Sequence, residues 1–290
     1  MKINDRVRID DIRRTDLHMH TVYCDGKNTP EEMIQSAIQR HMTCIGFSGH
    51  SYVRFDPEAG MPKNREEDYC REIARLQSIY DGQIRIFCGL ELDYHTLPGY
   101  AAPDFERELQ RYKAQYDYLI GSVHYIPVPG ESVAAAVDDT PEIFMGAVAQ
   151  YYDGDYYRAA EAYYQLEADI VRRTDCDIIG HFDLIAKFNQ KYRLFDEQHP
   201  RYVRAWQQAL DALLPSGRIF EINTGGMSRG WRTVPYPAPE MQTYIRQKGG
   251  KMILSSDSHN AETIGCYYSQ STQLCHSTLS KSSVPGLRKF

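Results

Sequence analysis

The sequence lacks the features of a secreted or membrane-bound protein. Its seven cysteines include no CxxC pair, are odd in number and are irregularly spaced, which argues against a disulfide framework and a thiolate zinc site. No apolar run approaches the ~20 residues of a membrane span, and residues 1–16 contain no apolar signal segment. We therefore predict a cytoplasmic protein that does not contact a membrane.

The chain also lacks an excess of positive charge. A formal net charge of −6 disfavours a broad nucleic-acid surface, although it leaves room for a local basic pocket that binds a small anion. No GxGxxG or Walker loop follows a predicted strand, and GFSGH at 46–50 has the wrong frame for a GxSxG nucleophile elbow. We expect a small substrate and no nucleic-acid partner.

What the sequence does contain is a repeated alternation of short apolar runs and amphipathic segments. The near-continuous apolar runs predict a parallel α/β sheet, and polar residues at the end of nearly every run favour a closed barrel over an open sheet. The predicted strands span 15–20, 44–50, 84–93, 117–124, 177–183, 218–224 and 251–257. The predicted helices span 29–41, 64–80, 103–115, 155–174, 199–214 and 239–248.

Two segments depart from this alternation. Residues 127–157 form the longest irregular region, and the tyrosines at and after its end are expected to pack on a helix face. No linker divides the chain, so we predict a single domain over residues 1–265. The Ser/Thr-rich tail at 266–290 has no helical period and is expected to be poorly ordered.

Potential metal ligands recur where the predicted strands end. A lone histidine is more often an ordinary core or surface residue, but repetition at equivalent positions indicates a site. Two pairs with i, i+2 spacing present both ligands on one face of an extended chain. The candidates are His18, His20, His50, Glu91, His124, His181, Asp257 and His259.

These residue types point to hydrolysis assisted by more than one metal ion. Nitrogen and oxygen ligands without thiolates suit zinc, manganese or iron. A carboxylate can bridge two ions, and Glu91 is the best candidate for that role. The expected catalytic group is a metal-bridging hydroxide held by Glu91 and neighbouring ligands, because paired divalent ions lower the pKa of a bridging water and clamp a phosphate ester.

The motifs that carry these residues resemble the PHP family, which is named for its polymerase and histidinol phosphatase members. They read DLHMH at 16–20, SGH at 48–50, GLELD at 89–93, GSVHY at 121–125, GHFDL at 180–184 and SSDSH at 255–259. The resemblance spans residues 15–260 in the expected order. It implies an α/β fold, a distorted seven-stranded (β/α) barrel, with three divalent metal ions at the C-terminal face of its strands.

The resemblance also implies which residues hold each ion. The first ligand set consists of His18, His20, Glu91 and Asp257. The second ligand set consists of Glu91, His124 and His181. The third ligand set consists of Asp25, His50 and His259. Asp25 lies in an Asp-Gly pair, which by itself is only a turn signal.

The stretch at 221–226, with Arg229 and Tyr236 after it, resembles the histidinol-phosphatase branch of the family, as does GHFDLIAKF at 180–188. This branch implies hydrolysis of L-histidinol phosphate to L-histidinol and inorganic phosphate, in histidine biosynthesis. Arg229 can donate two hydrogen bonds to a phosphate, and Lys187 can supply a point charge. Arg232 is a third candidate for phosphate binding.

Three other interpretations stay open at this point. The same ligands could serve another small phosphate ester or a nucleotide. A metal-dependent amidohydrolase also begins with HxH, although Glu91 at mid-chain and a final DxH favour phosphoester hydrolysis. A non-catalytic barrel could keep metals for stability. Asp16, which flanks DLHMH, is expected to orient a ligand histidine.

Overall fold

The structure is a computed structural model that describes residues 1–96, 102–131 and 133–271. Seven strands form one parallel sheet in the order β1, β2, β3, β4, β7, β8, β9, and β5 and β6 form a separate antiparallel hairpin. The strands are β1 (Thr15–Asp16), β2 (Cys44–Phe47), β3 (Arg85–Asp93), β4 (Tyr118–Ser122), β5 (Tyr125–Pro127), β6 (Ala134–Ala136), β7 (Ile178–Ile179), β8 (Ile219–Asn223) and β9 (Lys251–Ser255). Each predicted strand corresponds to one strand of the sheet.

The sheet curls so that its first and last strands approach each other. Just beyond their ends, Met19 and Ser258 form a parallel bridge. The Ser258 carbonyl accepts a hydrogen bond from His20 N at 2.8 Å, and Ser258 N donates to the His18 carbonyl at 3.2 Å. The seven parallel strands therefore make a nearly closed, distorted barrel, as the sequence predicts.

Helices surround the barrel, and the six predicted helices are confirmed to within two residues at each end. The helices are α1 (Pro30–Gln39), α2 (Glu66–Ile79), α3 (Ala102–Gln115), α4 (Pro141–Tyr151), α5 (Tyr156–Thr174), α6 (Asn189–Tyr192), α7 (Pro200–Leu213), α8 (Gly225–Ser228) and α9 (Pro239–Gln247). Helix α1 begins with a capping box, in which Thr29 and Glu32 exchange hydrogen bonds. In the described parts of the chain, no helix has the length and apolar character that a membrane span requires.

The prediction of an irregular region over residues 127–157 is wrong. This region contains the last residue of β5, the whole of β6 and all of α4. The sequence of α4, PEIFMGAVAQY, is apolar on most of its circumference and so lacks the polar stripe that reveals a surface helix. The interpretation of the tyrosines is confirmed, because Tyr163 and Tyr164 on α5 are buried in the core.

The barrel interior is apolar near the N-terminal ends of the strands. Tyr118 fills its centre and donates a hydrogen bond to the Leu17 carbonyl at 2.5 Å. Its ring lies so close to Gly46 and Gly89 that a Cβ atom at either glycine would overlap it. Because side chains alternate along a strand, Glu91 points to the same interior face as Gly89. The interior therefore becomes polar toward the C-terminal ends.

The predicted division of the chain at residue 265 stays a prediction. Of the tail, residues 266–271 are described, and Tyr268 and Ser271 are buried. The remaining residues of the tail, 272–290, lie outside the described part of the chain.

Candidate metal centre

All nine predicted ligands lie together at the C-terminal end of the barrel. Glu91 is on β3, and the others follow the strands or, in one case, a turn. His18 and His20 follow β1, Asp25 lies in the turn after them, His50 follows β2, His124 follows β4, His181 follows β7, and Asp257 and His259 follow β9. This placement agrees with the rule that barrel sites form at the C-terminal ends of the strands.

Glu91 lies at the middle of the cluster, and its two carboxylate oxygens face different histidines. Oε2 is 3.0 Å from His18 Nε2 and 3.5 Å from His20 Nε2. Oε1 is 3.0 Å from His181 Nε2 and 3.6 Å from His124 Nε2. One oxygen thus faces the first ligand set and the other faces the second, which is the geometry that a bridging carboxylate requires.

The remaining ligands lie around His20. Asp25 Oδ2 is 2.8 Å from His259 Nε2 and 3.9 Å from His50 Nε2, and Asp25 Oδ1 is 3.3 Å from His20 Nδ1. Asp257 Oδ1 is 3.4 Å from His20 Nε2. Asp25 is therefore next to both of its expected partners, although its Asp-Gly pair predicts only a turn.

Among the residues that the structure describes, three groups of ligand atoms are compact enough to hold a metal ion, with all atoms in a group within 4.8 Å of one another. The groups are His20, Asp25, His50 and His259; His18, His20 and Glu91; and His50, Glu91 and His124. The first contains the whole third ligand set. The second lies within the first ligand set, and the third shares Glu91 and His124 with the second ligand set.

The polar atoms of the cluster fit bound divalent metals. Within the described parts of the chain, His18 Nε2, His20 Nε2 and Glu91 Oε2 are buried without a hydrogen-bond partner, although such atoms nearly always have one. Burial alone would raise the pKa of Glu91, but the charged imidazoles of His18 and His50 hold it well below its ordinary value. A carboxylate surrounded by imidazole nitrogens is a donor set typical of zinc, manganese or iron.

The expectation for Asp16 is wrong. Its carboxylate accepts hydrogen bonds from Ser256 N at 3.1 Å and His18 N at 3.3 Å, and it also binds the Ser256 hydroxyl. The hydrogen bonds given for Asp16 in the described chain come from backbone amides and side-chain hydroxyls, so Asp16 joins β1 to the residue after β9 and does not contact the His18 ring. The carboxylate that contacts Nδ1 of the His18 ring, on the side away from Glu91, is Glu221, whose Oε1 is 2.7 Å away.

Sequence reasoning assigned no role to Glu221 or to Asp93. Asp93 accepts a hydrogen bond from His124 Nδ1, and its Oδ2 is 3.5 Å from His50 Nδ1. The sequence nevertheless indicates that both side chains point into the barrel. Asp93 has i, i+2 spacing from Glu91 on β3, and Glu221 occupies an inward position on β8. Strand alternation shows which face these side chains share, but not which histidine each contacts.

A cavity of about 440 Å³ opens onto the cluster. Its lining includes seven predicted ligands, namely Asp25, His50, Glu91, His124, His181, Asp257 and His259. His18 and His20 are fully buried. The cavity is therefore a route by which a small molecule reaches the cluster.

Two of the three predicted phosphate-binding residues also line this cavity. Arg229 donates to Asp257 Oδ2 and to the Asp257 carbonyl, both at 2.9 Å. Lys187 Nζ donates to the Asp138 carbonyl at 2.5 Å. Arg232 is not among the lining residues, because its guanidinium is buried against Asp183 Oδ2 at 3.2 Å. The structure thus brings Arg229 and Lys187 to the cavity and leaves Arg232 outside it.

Fold and site together define a barrel protein with a candidate metal centre at the C-terminal ends of its strands. The sequence pattern of the PHP domain matches residues 16–225. The chain belongs to the PHP family, and the resemblance seen in the motifs is confirmed.

Known relatives cover most of this chain. A probable histidinol-phosphatase of Deinococcus radiodurans is 29% identical over 258 residues, which make up 86% of this chain and 88% of the relative. A histidinol-phosphatase of Bacillus subtilis is 25% identical over 282 residues, or 91% of this chain and 100% of the relative. A probable histidinol-phosphatase of Schizosaccharomyces pombe is 27% identical over 281 residues, or 89% of this chain and 82% of the relative.

Two solved structures have the same fold. The hisK protein of Listeria monocytogenes has a TM-score of 0.79 at 22% identity and covers 88% of this chain and 99% of its own. The histidinol phosphate phosphatase of Lactococcus lactis has a TM-score of 0.69 at 21% identity, and the match covers 91% of this chain and 93% of its own. The latter was solved with zinc, L-histidinol and phosphate. At these identities the likeness establishes the fold.

Proposed function

We propose that this chain is a metal-dependent phosphomonoesterase that hydrolyses L-histidinol phosphate to L-histidinol and inorganic phosphate. Its relatives in three organisms carry the name histidinol-phosphatase, and one solved neighbour binds L-histidinol and phosphate. The observation that carries the proposal is that one cavity is lined both by predicted metal ligands and by Arg229 and Lys187.

We propose that the nine predicted ligands hold three divalent ions of zinc, manganese or iron. The zinc in the Lactococcus lactis structure supports zinc as one of these metals. Glu91 would bridge the first and second ligand sets, because its two oxygens face them separately. When bound, such ions activate water as a nucleophile and neutralise the charge of a phosphate.

The cationic side chains of the cavity have separate roles in this proposal. The Arg229 guanidinium lies against Asp257, so it keeps this ligand in place and also presents a planar set of donors to a phosphate. Asp138 holds the Lys187 ammonium at the cavity wall, where it supplies positive charge. Both residues would stabilise the negative charge on the phosphate oxygens.

The other lining residues favour a cationic leaving group. They include the carboxylates of Asp56, Glu58 and Asp139, besides Asp138, whose charge is paired with Lys187. Negative charge in a cleft attracts a substrate that carries an ammonium group and repels one with additional phosphates. Histidinol phosphate, which carries an ammonium group, therefore fits this environment better than a nucleotide, which does not.

The proposed function is tested by one paired measurement. Zinc-loaded protein is assayed for metal content and for phosphate release from L-histidinol phosphate, beside nucleoside monophosphates and neutral sugar phosphates. We expect at least two ions per chain and a kcat/KM for histidinol phosphate that exceeds the others by at least 10²-fold, or about 2.7 kcal/mol. Fewer than two ions, or equal rates across the panel, would refute the assignment.

We further propose that the reaction takes place in the cytoplasm as part of histidine biosynthesis. In the described part of the chain, six cysteines are free thiols: Cys24, Cys44, Cys70, Cys88, Cys176 and Cys266. Reduced cysteines are the usual state of proteins in a reducing compartment.

A further inference from the structure

Glu221 contacts two predicted ligands that lie on different strands. Its Oε1 is 2.7 Å from His18 Nδ1, and its Oε2 accepts a hydrogen bond from the backbone N of His181 at 3.1 Å. Asn223 donates a further hydrogen bond to Oε2 at 3.0 Å. Because the carboxylate is buried, it has no competing water to exchange with. One side chain on β8 thus fixes residues that follow β1 and β7.

Asp93 forms a second connection of the same kind. Its Oδ1 accepts a hydrogen bond from His124 Nδ1, and its Oδ2 lies 3.5 Å from His50 Nδ1. His124 thereby turns Nδ1 toward Asp93, whereas His50 Nδ1 lies between Asp93 Oδ2 and Glu91 Oε2, which is 3.1 Å away. The Nε2 atom of His124 faces Glu91, and that of His50 faces Asp25.

We propose that Glu221 and Asp93 are positioning residues that couple the metal ions to one another. Glu221 joins His18 of the first ligand set to His181 of the second. Asp93 joins His124 of the second ligand set to His50 of the third. Removal of either carboxylate therefore weakens the binding of two ions at once. This inference rests on the ligand sets of the proposed function, but not on the identity of the substrate.

The groups around Glu221 require a carboxylate and not merely a side chain of its shape. His181 N and Asn223 Nδ2 are donors, and His18 must donate from Nδ1 if its Nε2 is to keep a lone pair for a metal. Glutamine has one acceptor oxygen, so its amide NH₂ would face a donor in either orientation. A related argument applies to Asp93. Asparagine would lose the negative charge, and its NH₂ group would face either His124 Nδ1 or His50 Nδ1, which is 3.5 Å from Oδ2.

The test compares zinc binding by wild-type protein, Glu221→Gln and Asp93→Asn. Each protein is stripped with a chelator and titrated with zinc against a competing chelator of known affinity. We expect two of the bound ions to weaken together by about 10- to 100-fold in each variant, since loss of a group that orients a ligand usually has an effect of this size. Glu167→Gln is the matched control, because Glu167 is equally buried but lies on α5 and contacts Tyr163.

A structural readout separates positioning from general damage to the fold. In excess chelator, the variants should melt below the wild-type temperature, because a buried amide then faces a donor. The test is the further rise in melting temperature that saturating zinc causes, which should be smaller in the variants than in wild-type protein and unchanged in Glu167→Gln. Excess zinc should restore part of kcat in both variants. If Glu221→Gln does not fold, the same zinc titration and melting measurements are made on Glu221→Asp and Asp93→Asn.

Two outcomes would overturn the inference. One is unchanged zinc stoichiometry and affinity in both variants, whatever happens to activity. The other is the loss of a single ion with the rest unaffected, which would show that the ions bind independently. Failure of the substrate panel with wild-type protein would instead refute the proposed function and leave this inference standing.

Discussion

At the scale of single residues, the centre depends on Glu91. It is fully buried, and its two oxygens face imidazoles that follow four different strands. Burial alone would raise the pKa of Glu91, but the His18 and His50 imidazoles hold this pKa well below its ordinary value, so the carboxylate is ionised. Its role as a bridge requires both oxygens.

Glu91→Gln is expected to lower kcat by roughly 10⁴-fold or more, which is typical for the loss of a central catalytic group. The amide replaces one ligand oxygen with an NH₂ group that cannot bind a metal, so the two ligand sets are no longer joined. Steady-state phosphate release and zinc content measure the effect, with Glu167→Gln as the control. Near-normal turnover would show that Glu91 does not bridge.

The sequence predicts which residues gather at the centre better than it predicts their partners. Histidine and carboxylate types at repeated strand ends were sufficient to find eight of the nine predicted ligands. The ninth, Asp25, lies in a turn and was assigned only through the resemblance to the PHP family. The role of Asp16 was misjudged because strand alternation predicts a common face with His18 but not a contact with its ring. The partner of that ring, Glu221, lies 203 residues further along the chain. Such a pairing depends on barrel closure, which no local pattern encodes.

At the scale of elements, the turn after β1 carries Asp25 to its place beside His259. Cys24 N and Gly26 N both donate to the Thr21 carbonyl at 3.0 Å, which folds the turn tightly. A Cβ atom on Gly26 would lie well inside 3.0 Å of backbone atoms of His20 and Thr21. Backbone cannot yield as a flexible side chain does, so the turn requires glycine.

Gly26→Ala is therefore expected to displace Asp25 and to remove one zinc ion per chain, with a loss of stability of about 1–3 kcal/mol. Zinc content by elemental analysis and the midpoint of urea unfolding measure the two effects. Gly146→Ala is the control, because nothing lies within 4 Å of its added Cβ and it sits within α4. That variant should be stabilised by about 0.5–1 kcal/mol. A Gly26→Ala protein that retains full zinc content would contradict the role of the turn.

Helix α5 contains a buried acid outside the centre. Glu167 accepts a hydrogen bond from Tyr163 at 2.9 Å, and burial raises the pKa of its carboxyl group well above the ordinary value. The charge of Asp183 acts in the same direction. The folded protein thus retains a proton that the unfolded chain releases above pH ~4.5, and stability falls as the pH rises from there toward the folded pKa.

Glu167→Gln removes this dependence, because glutamine does not ionise. The variant should match wild-type near pH 4. Its advantage in free energy of unfolding should then grow by up to about 1.4 kcal/mol per pH unit, until the folded pKa is reached. Urea unfolding at pH 4, 5, 6 and 7 measures the difference. Parallel pH profiles for the two proteins would show that Glu167 is ionised in the fold.

Element prediction succeeded where periodicity was strong. The seven parallel strands were identified because each is an apolar run bounded by polar residues. Helix α4 was missed because its apolar residues leave no polar stripe, and Ile143 and Met145 remain exposed in the structure. β1 and β7 contain only two residues each, fewer than their predicted spans, because the chain turns toward the centre soon after pairing.

At the scale of the whole molecule, bound metal is expected to contribute to stability. Several buried polar atoms of the centre have no hydrogen-bond partner in the described chain, so ions that bind them favour the folded state. An excess of zinc 1,000-fold above its dissociation constant adds about 4 kcal/mol. We expect a melting temperature that is on the order of 8–16 °C higher than after chelation, as differential scanning calorimetry measures. Equal melting temperatures would show that the centre does not hold zinc.

The place where the barrel closes, between the ends of β1 and β9, affects when the metal centre can form during synthesis. The Met19 and Ser258 bridge joins the first ligand motif to the last, and the two motifs are about 240 residues apart in sequence. At about 5–20 residues per second, a ribosome completes the second motif at least ten seconds after the first. A nascent chain thus exposes its early histidines well before their partners exist, and full loading with metal must await release of the C-terminal strand.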